Sequence, residues 1–156
     1  MRTQDTIRTL NRLIGVCRDG EEFCESCGDV VQSPDLGSIL RYRAQEWGRQ
    51  GDELQALVLL LDGEPARAGG TTALALRSWL LARAVILGPS DIAVLDHWRR
   101  LYERALDAYE DAIGGYLPER IRRTLTLQAD RVAERLEHIE RVCAQRGAHP
   151  RSAESM

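Results

Sequence analysis

The stretch SPDLGSILRYRAQEWGRQGDELQALVLLLDG, residues 33–63, decides the fold. Ser33 is a helix cap, Pro34 sits where its missing N–H is harmless, and Asp35 meets the positive end of the helix dipole. Behind them Leu36, Leu40, Ala44, Trp47, Gly51, Leu54, Val58 and Leu61 recur every three or four residues, the spacing of one helix face. Asp62-Gly63 stops the run, the glycine being suited to the left-handed position after a helix.

The same period extends in both directions. Upstream, Ile7, Leu10, Ile14 and Cys17 continue through Glu21, Cys24, Gly28 and Val31, which predicts a helix over about residues 5–32. Its interior Gly20 costs about 1 kcal/mol relative to alanine, so packing must hold that stretch. The joint to the next helix is two or three residues, which makes an antiparallel hairpin. Downstream, Glu64 to Gly70 reads as a loop. Thr71 or Thr72 caps a shorter helix to about Leu87, with Leu74, Trp79 and Val85 among its apolar residues, and Gly88-Pro89-Ser90 breaks it. Ile92, Leu95, Trp98, Tyr102, Ala105, Tyr109 and Ile113 stripe a third long helix that begins at Ser90 or Asp91 and ends at Gly114-Gly115. Pro118 opens a fourth, carrying Ile121, Leu125, Gln128, Val132, Leu136, Ile139 and Cys143.

The expected fold is therefore all-α: a four-helix bundle in one domain, residues 1–147, with a flexible tail over 148–156. The connection 63–90 is too long for a turn and lets the third helix run parallel to the second, a single-crossover topology. An up-down-up-down array of five helices is the competing topology.

Composition bounds the function. At 156 residues, 44% hydrophobic and 29% charged, the chain fits one globular core. Its net charge of −3 argues against a nucleic-acid partner, which needs a concentrated cationic face. All 21 basic residues are arginine, read as coding bias, and many are matched by acids at helical spacing, as in Arg100–Arg104 against Glu103–Asp107. The most apolar run, residues 56–61, is too short to span a bilayer. With no signal peptide after Met1, a cytoplasmic location is expected, and Cys17, Cys24, Cys27 and Cys143 would be thiols there.

Several motifs carry a resemblance: Leu10-Asn11-Arg12-Leu13-Ile14, Arg18-Asp19-Gly20, Ser33-Pro34-Asp35-Leu36, Glu53-Leu54-Gln55, Gly63-Glu64-Pro65, Arg77-Ser78-Trp79 and Tyr109. In order and spacing, from about Asp5 to Val142, the chain resembles a bacterial family of ferritin-like four-helix-bundle proteins of unknown function. The resemblance implies the crossover fold with a short extra helix, and no activity. The family usually has tyrosine where Cys24 stands, an acid where Tyr102 stands and histidine where Leu136 stands.

A ferritin-type metal pair needs a glutamate from each of two helices and Glu-x-x-His from each of the other two. No Glu-x-x-His is present: Arg135 stands three before His138, Arg49 three after Glu46, and Ala56 three after Glu53. The remaining candidate ligands are Glu21, Glu103, Glu134 and His138. Glu21 lies on the apolar stripe of the first helix, and with Gln128 it would form a polar layer that sets register. Cys24-Glu25-Ser26-Cys27 is a CxxC, but deep in a helix, without the helix start that lowers a thiol pKa. Cys143 would lie at the same end of the bundle, diagonally across the core. Trp47, Trp79 and Trp98 read as core or interface anchors.

The sequence reading is thus a non-catalytic structural or protein-interaction module without a cofactor, partnered by a second copy or another protein. Two alternatives stay open. One is a degenerate metal-binding or oxidoreductase domain using the four candidate ligands. The other is a thiol sensor using Cys24 and Cys27.

Overall fold

Four amphipathic helices account for the path of the described residues. The computed structural model describes residues 2–67 and 91–146, and among these it has α1 (Arg2–Val30), α2 (Pro34–Leu60), α3 (Asp91–Gly114) and α4 (Glu119–Gln145), with no strand. The short helix expected after Thr71, Trp79 on it, the Gly88-Pro89-Ser90 break and the tail over 148–156 lie outside the described residues.

The helix ends follow local chemistry. The Ser33 side chain accepts from the Leu36 N–H at 3.3 Å, and Pro34 opens α2. α1 stops at Val30 rather than at residue 32, because the next backbone groups are claimed from elsewhere. The N–H groups of Gln32 and Ser33 donate to the two carboxylate oxygens of Asp91 at 2.8 and 3.0 Å. Arg146, just past α4, donates to the Ser33 hydroxyl at 3.0 Å, so all four helices are tied at this end. At the other end Arg122 donates to the carbonyls of Ile113 and Gly115, satisfying acceptors that the end of α3 leaves over.

The end of α2 corrects one expectation. The left-handed residue is Asp62, at φ 58°, not Gly63. Gly63 N–H donates to the Val58 carbonyl at 2.9 Å and Asp62 N–H to that of Leu59 at 3.0 Å, the paired bonds of a Schellman motif. Gly63 is needed for a different reason: a Cβ there would lie 2.8 Å from the Ile7 side chain. The chain then turns over α1. The Asn11 amide donates to the Glu64 carbonyl at 3.0 Å and accepts from the Ala66 N–H at 2.8 Å.

Side-chain pairs give the helix directions. α1 and α2 are antiparallel, with Arg18 on Asp52 near the middle and Gly28 beside Gly37 at the turn. α3 and α4 are antiparallel through Tyr109–Gln128 and Cys143–Leu95. α1 opposes α3 through Cys17–Tyr109 and Arg2–Tyr116, and α2 opposes α4 through Arg43–His138 and Gln50–Gln128. α2 and α3 therefore run the same way across one diagonal, and α1 and α4 across the other. Residues 61–90 join two parallel helices, as the single-crossover reading expects, and the short helix that would distinguish it from a five-helix array lies outside the described residues.

The core is aliphatic along its length: Leu10, Leu13, Ile14, Leu36, Leu40, Leu54, Leu95, Leu125 and Ile139 are fully buried. Each contributes about 1.5–3 kcal/mol by leaving water. Gly20 explains itself here. It faces the Trp47 indole so closely that a Cβ would lie 2.6 Å from the ring, whereas Gly15 has open space around it. Alanine gains about 1 kcal/mol over glycine in a helix interior, and crowding a packed core costs about 1–3 kcal/mol. Gly15→Ala should therefore raise the urea midpoint, by about 0.5–1 kcal/mol of stability. Gly20→Ala should lower it, and a stabilised Gly20→Ala would show that the indole is not seated there.

Candidate functional site

Two polar layers interrupt the apolar core, and each draws on several helices. In the first, α1 supplies Cys17, α2 Gln50, α3 Tyr109 and α4 Gln128. The Tyr109 hydroxyl donates to Gln128 Oε1 at 2.6 Å and accepts from Gln50 Nε2 at 3.3 Å. Cys17 Sγ lies 3.4 Å from the same hydroxyl, and Gln128 Nε2 donates to the Gln50 carbonyl at 3.3 Å. All four residues are buried, so these bonds offset the cost of placing polar groups in an apolar medium. Burial also pushes the Cys17 thiol up to about 12 and the Tyr109 phenol well above its usual range.

The second layer lies one to two turns nearer the α1–α2 joint. Glu46 accepts from Arg43 Nη1 at 2.7 Å and from Arg135 Nη2 and Nε at 2.7 and 3.2 Å. Burial alone would push the Glu46 carboxyl up, but the Arg135 and Arg43 hydrogen bonds and charges together outweigh it and hold it below the usual carboxylate range. The Arg43 Nη2 group faces His138 Nδ1 at 3.3 Å, which fixes that nitrogen as the acceptor of a neutral imidazole. Desolvation, then the charges of Arg43, Arg141 and Arg135, lower the His138 pKa. On the inner side, Tyr102 is packed edge-on against Trp47 (ring centroids 5.0 Å apart) and Trp98 (6.2 Å).

The four candidate ligands are not brought together as a site. Glu21 is half-buried, pairs with Arg18 at 3.3 Å and lies in the space left by Gly48, where a Cβ would be 2.6 Å from its Oε2. It does not join Gln128 in a polar layer, because that glycine lets the carboxylate turn along α2 toward Arg18. Cys17, Gln50 and Tyr109 take the inward places instead. Glu103 pairs with Arg99 at 2.7 Å, Glu134 is exposed, and His138 faces Arg43. Among the described residues no group of three or more His, Cys, Asp or Glu is placed to hold a metal ion. Cys24 and Cys27 are both buried free thiols. Burial, with the Cys27 neighbour, raises Cys24 well above the ordinary thiol value, and burial pushes Cys27 up to about 12.

Gln50, Tyr109 and Cys17 were legible only as stripe members or their neighbours. The signal for the layer was a second glutamine, Gln50, one turn from Trp47 and level with Gln128 once α2 and α4 oppose one another. The Arg43–Glu46–Arg135 cluster left a trace in the sequence too, since Arg135 stands where a metal motif needs glutamate.

An all-helical bundle with a closed, hydrogen-bonded interior is the class this arrangement defines. Within it the chain belongs to a named family: residues 5–115, covering α1, α2 and α3, match a domain of unknown function, DUF2383. No curated protein matches the chain. α4, which brings Gln128, Arg135 and His138 to the two layers, lies beyond the matched stretch.

The His138 environment gives a pH dependence with a definite sign. Its folded pKa lies below the unfolded value near 6.5, so the stability it supplies is present above pH 6.5 and is lost as pH falls through the lowered value. The denaturation midpoint should fall between pH 7 and pH 5, and His138→Gln should flatten that fall. Glu46→Gln should cost about 1.5–3 kcal/mol at pH 7 in the same measurement, because the two guanidiniums lose the carboxylate charge and one of its two acceptor oxygens.

Proposed function

We propose that this protein is a bacterial, cytoplasmic, ferritin-like bundle that acts as a non-catalytic structural or protein-interaction module, with a second copy or another protein as its partner. The observation that carries the reading is the Arg43–Glu46–Arg135 cluster. Ferritin-like metal proteins hold their ligands at the centre of such a bundle, on side chains projecting inward from all four helices. Here both oxygens of the Glu46 carboxylate are taken by the Arg43 and Arg135 guanidiniums, whose two positive charges would oppose a cation. The donor set does not fit a metal pair.

Further support comes from the positions where the chain departs from the family it resembles. Cys24 and Tyr102 lie in this central layer, buried against Trp98 and Trp47 rather than turned to a ligand. The cluster is wedged between aromatic rings and arginines in place of a chain of acids. No helix among the described residues is long and apolar enough to cross a membrane. Four buried thiols, none bridged, suit the reducing cytoplasm.

The decisive experiment is elemental analysis of protein purified without chelator and then offered iron(II), manganese(II) or zinc(II) before desalting. Less than about one tenth of an equivalent per chain is expected, and a value near one equivalent would overturn the proposal. Light scattering behind size exclusion reports the partner arm, since a second copy appears directly as a doubled mass. The thiol-sensor alternative predicts fast modification of Cys24 and Cys27. We expect Ellman's reagent to label all four cysteines only on unfolding, at least about tenfold more slowly in native buffer, because raised pKa and burial both suppress the thiolate.

A further inference from the structure

The Trp47 indole lies outside the hydrogen bonds of the two polar layers. Trp47 is 2% exposed, and its indole N–H has no hydrogen-bond acceptor among the described residues. The group is turned toward the Tyr102 hydroxyl without reaching hydrogen-bonding geometry. A buried donor left unpaired costs about 1–3 kcal/mol, so a site that supplies an acceptor is favoured.

Such a site adjoins it. A cavity of about 10 Å³ is lined by Glu46, Trp47, Gln50, Tyr102, Val132 and the arginines Arg131 and Arg135. A water needs about 10–15 Å³ of this measure and two to four polar partners. The volume admits one water and no second. The lining is mixed in the required way: the Trp47 N–H donates, the Tyr102 hydroxyl gives and accepts, and Glu46 and Gln50 offer oxygen acceptors.

The cavity also has an entrance. Glu46, Gln50, Arg131 and Arg135 line both it and a groove of about 390 Å³ that opens to solvent between α2 and α4. The Arg135–Glu46 pair, with bonds of 2.7 and 3.2 Å, lies at the boundary between the two. Both side chains line the cavity and the groove at once, which puts this ion pair in the way of a water passing between them.

We propose that this cavity is a binding site for one structural water, held between Trp47 Nε1 and the Tyr102 hydroxyl and exchanged past the Arg135–Glu46 pair. The water completes the central layer by giving the indole its missing acceptor. It also links the aromatic stack to the Glu46 carboxylate, making one connected network from Trp47 to Arg43. The chemistry selected is a small neutral donor–acceptor; an anion is opposed by Glu46, and a cation by Arg43 and Arg135.

The test uses the whole chain. In a crystal structure at about 1.5 Å, an ordered water within hydrogen-bonding distance of Trp47 Nε1 is expected. In solution, the Trp47 Hε1 resonance, assigned by its loss in Trp47→Phe, should show a nuclear Overhauser effect to water. Val132→Ile adds a methyl to the cavity wall and should abolish both signals. Arg135→Gln removes that ion pair and should shorten the residence time of the water by at least about tenfold while leaving the site. A dry cavity in the wild-type crystal, with the indole bonded directly to Tyr102, overturns the proposal. So does an Overhauser effect that persists unchanged in Val132→Ile, because the water would then lie elsewhere.

Discussion

The close approach of α1 to α2, where Gly20 receives the face of Trp47, is the contact on which the interior depends. A side chain at residue 20 would stand within 2.6 Å of the indole, so the ring can lie flat against α1 only because that position is bare. Seated there, Trp47 spans toward the far diagonal and meets Tyr102 of α3 edge-on at 5.0 Å. Tyr102 in turn meets Trp98. Three large rings thus fill the middle of the bundle and fix the spacing of α2 and α3 across it. Similar near-contacts at Gly48, Gly51, Gly28 and Gly37 bring the two helices together along their length. The helix propensity lost at these glycines is offset by dispersion and burial that a wider separation would forfeit.

With the helices this close, the polar side chains of the two layers enter the core as hydrogen-bonded sets. Tyr109 is the hub of one set, and every helix contributes a member to it. Glu46 is the hub of the other and is held by arginines from α2 and α4. Both arrangements oppose alternatives more than they add stability, since a register slip would strand a buried hydroxyl or an unpaired charge. The outcome is an interior with a definite register and few titratable groups left available. Membership of a domain family of unknown function agrees with that picture and adds no activity to it.

How far the sequence could be read varies from one element to the next. Ser33-Pro34, Asp91 and Pro118 mark helix starts because the preferences of the first turn, a capping hydroxyl, a proline or an acid, act between near neighbours in the chain. Trp98, Tyr109 and Ile139 were legible as core from their spacing alone. Glu21 was not, because its stripe position says inside while the absence of a side chain on Gly48, 27 residues away, opens a path along α2 to Arg18. Asp62 was misread for a local reason: glycine is the usual left-handed residue, yet here Gly63 is held by contact with Ile7 and the aspartate takes the strained φ. The early end of α1 could not be seen either, since the carboxylate that takes the N–H groups just beyond it belongs to Asp91.

By itself the sequence determined that the chain is helical, where three of its long helices begin, and which face of each turns inward. Those are consequences of period and capping, which act over a few residues. Only the tertiary structure decided that Gln50 and Gln128 meet at Tyr109, and that Glu46 is claimed by Arg135 from 89 residues away. Such pairings depend on which helix lies opposite which. Many packings bury the same stripes almost equally well, and the choice among them rests on where a missing Cβ lets two backbones close and where a buried polar atom finds its partner.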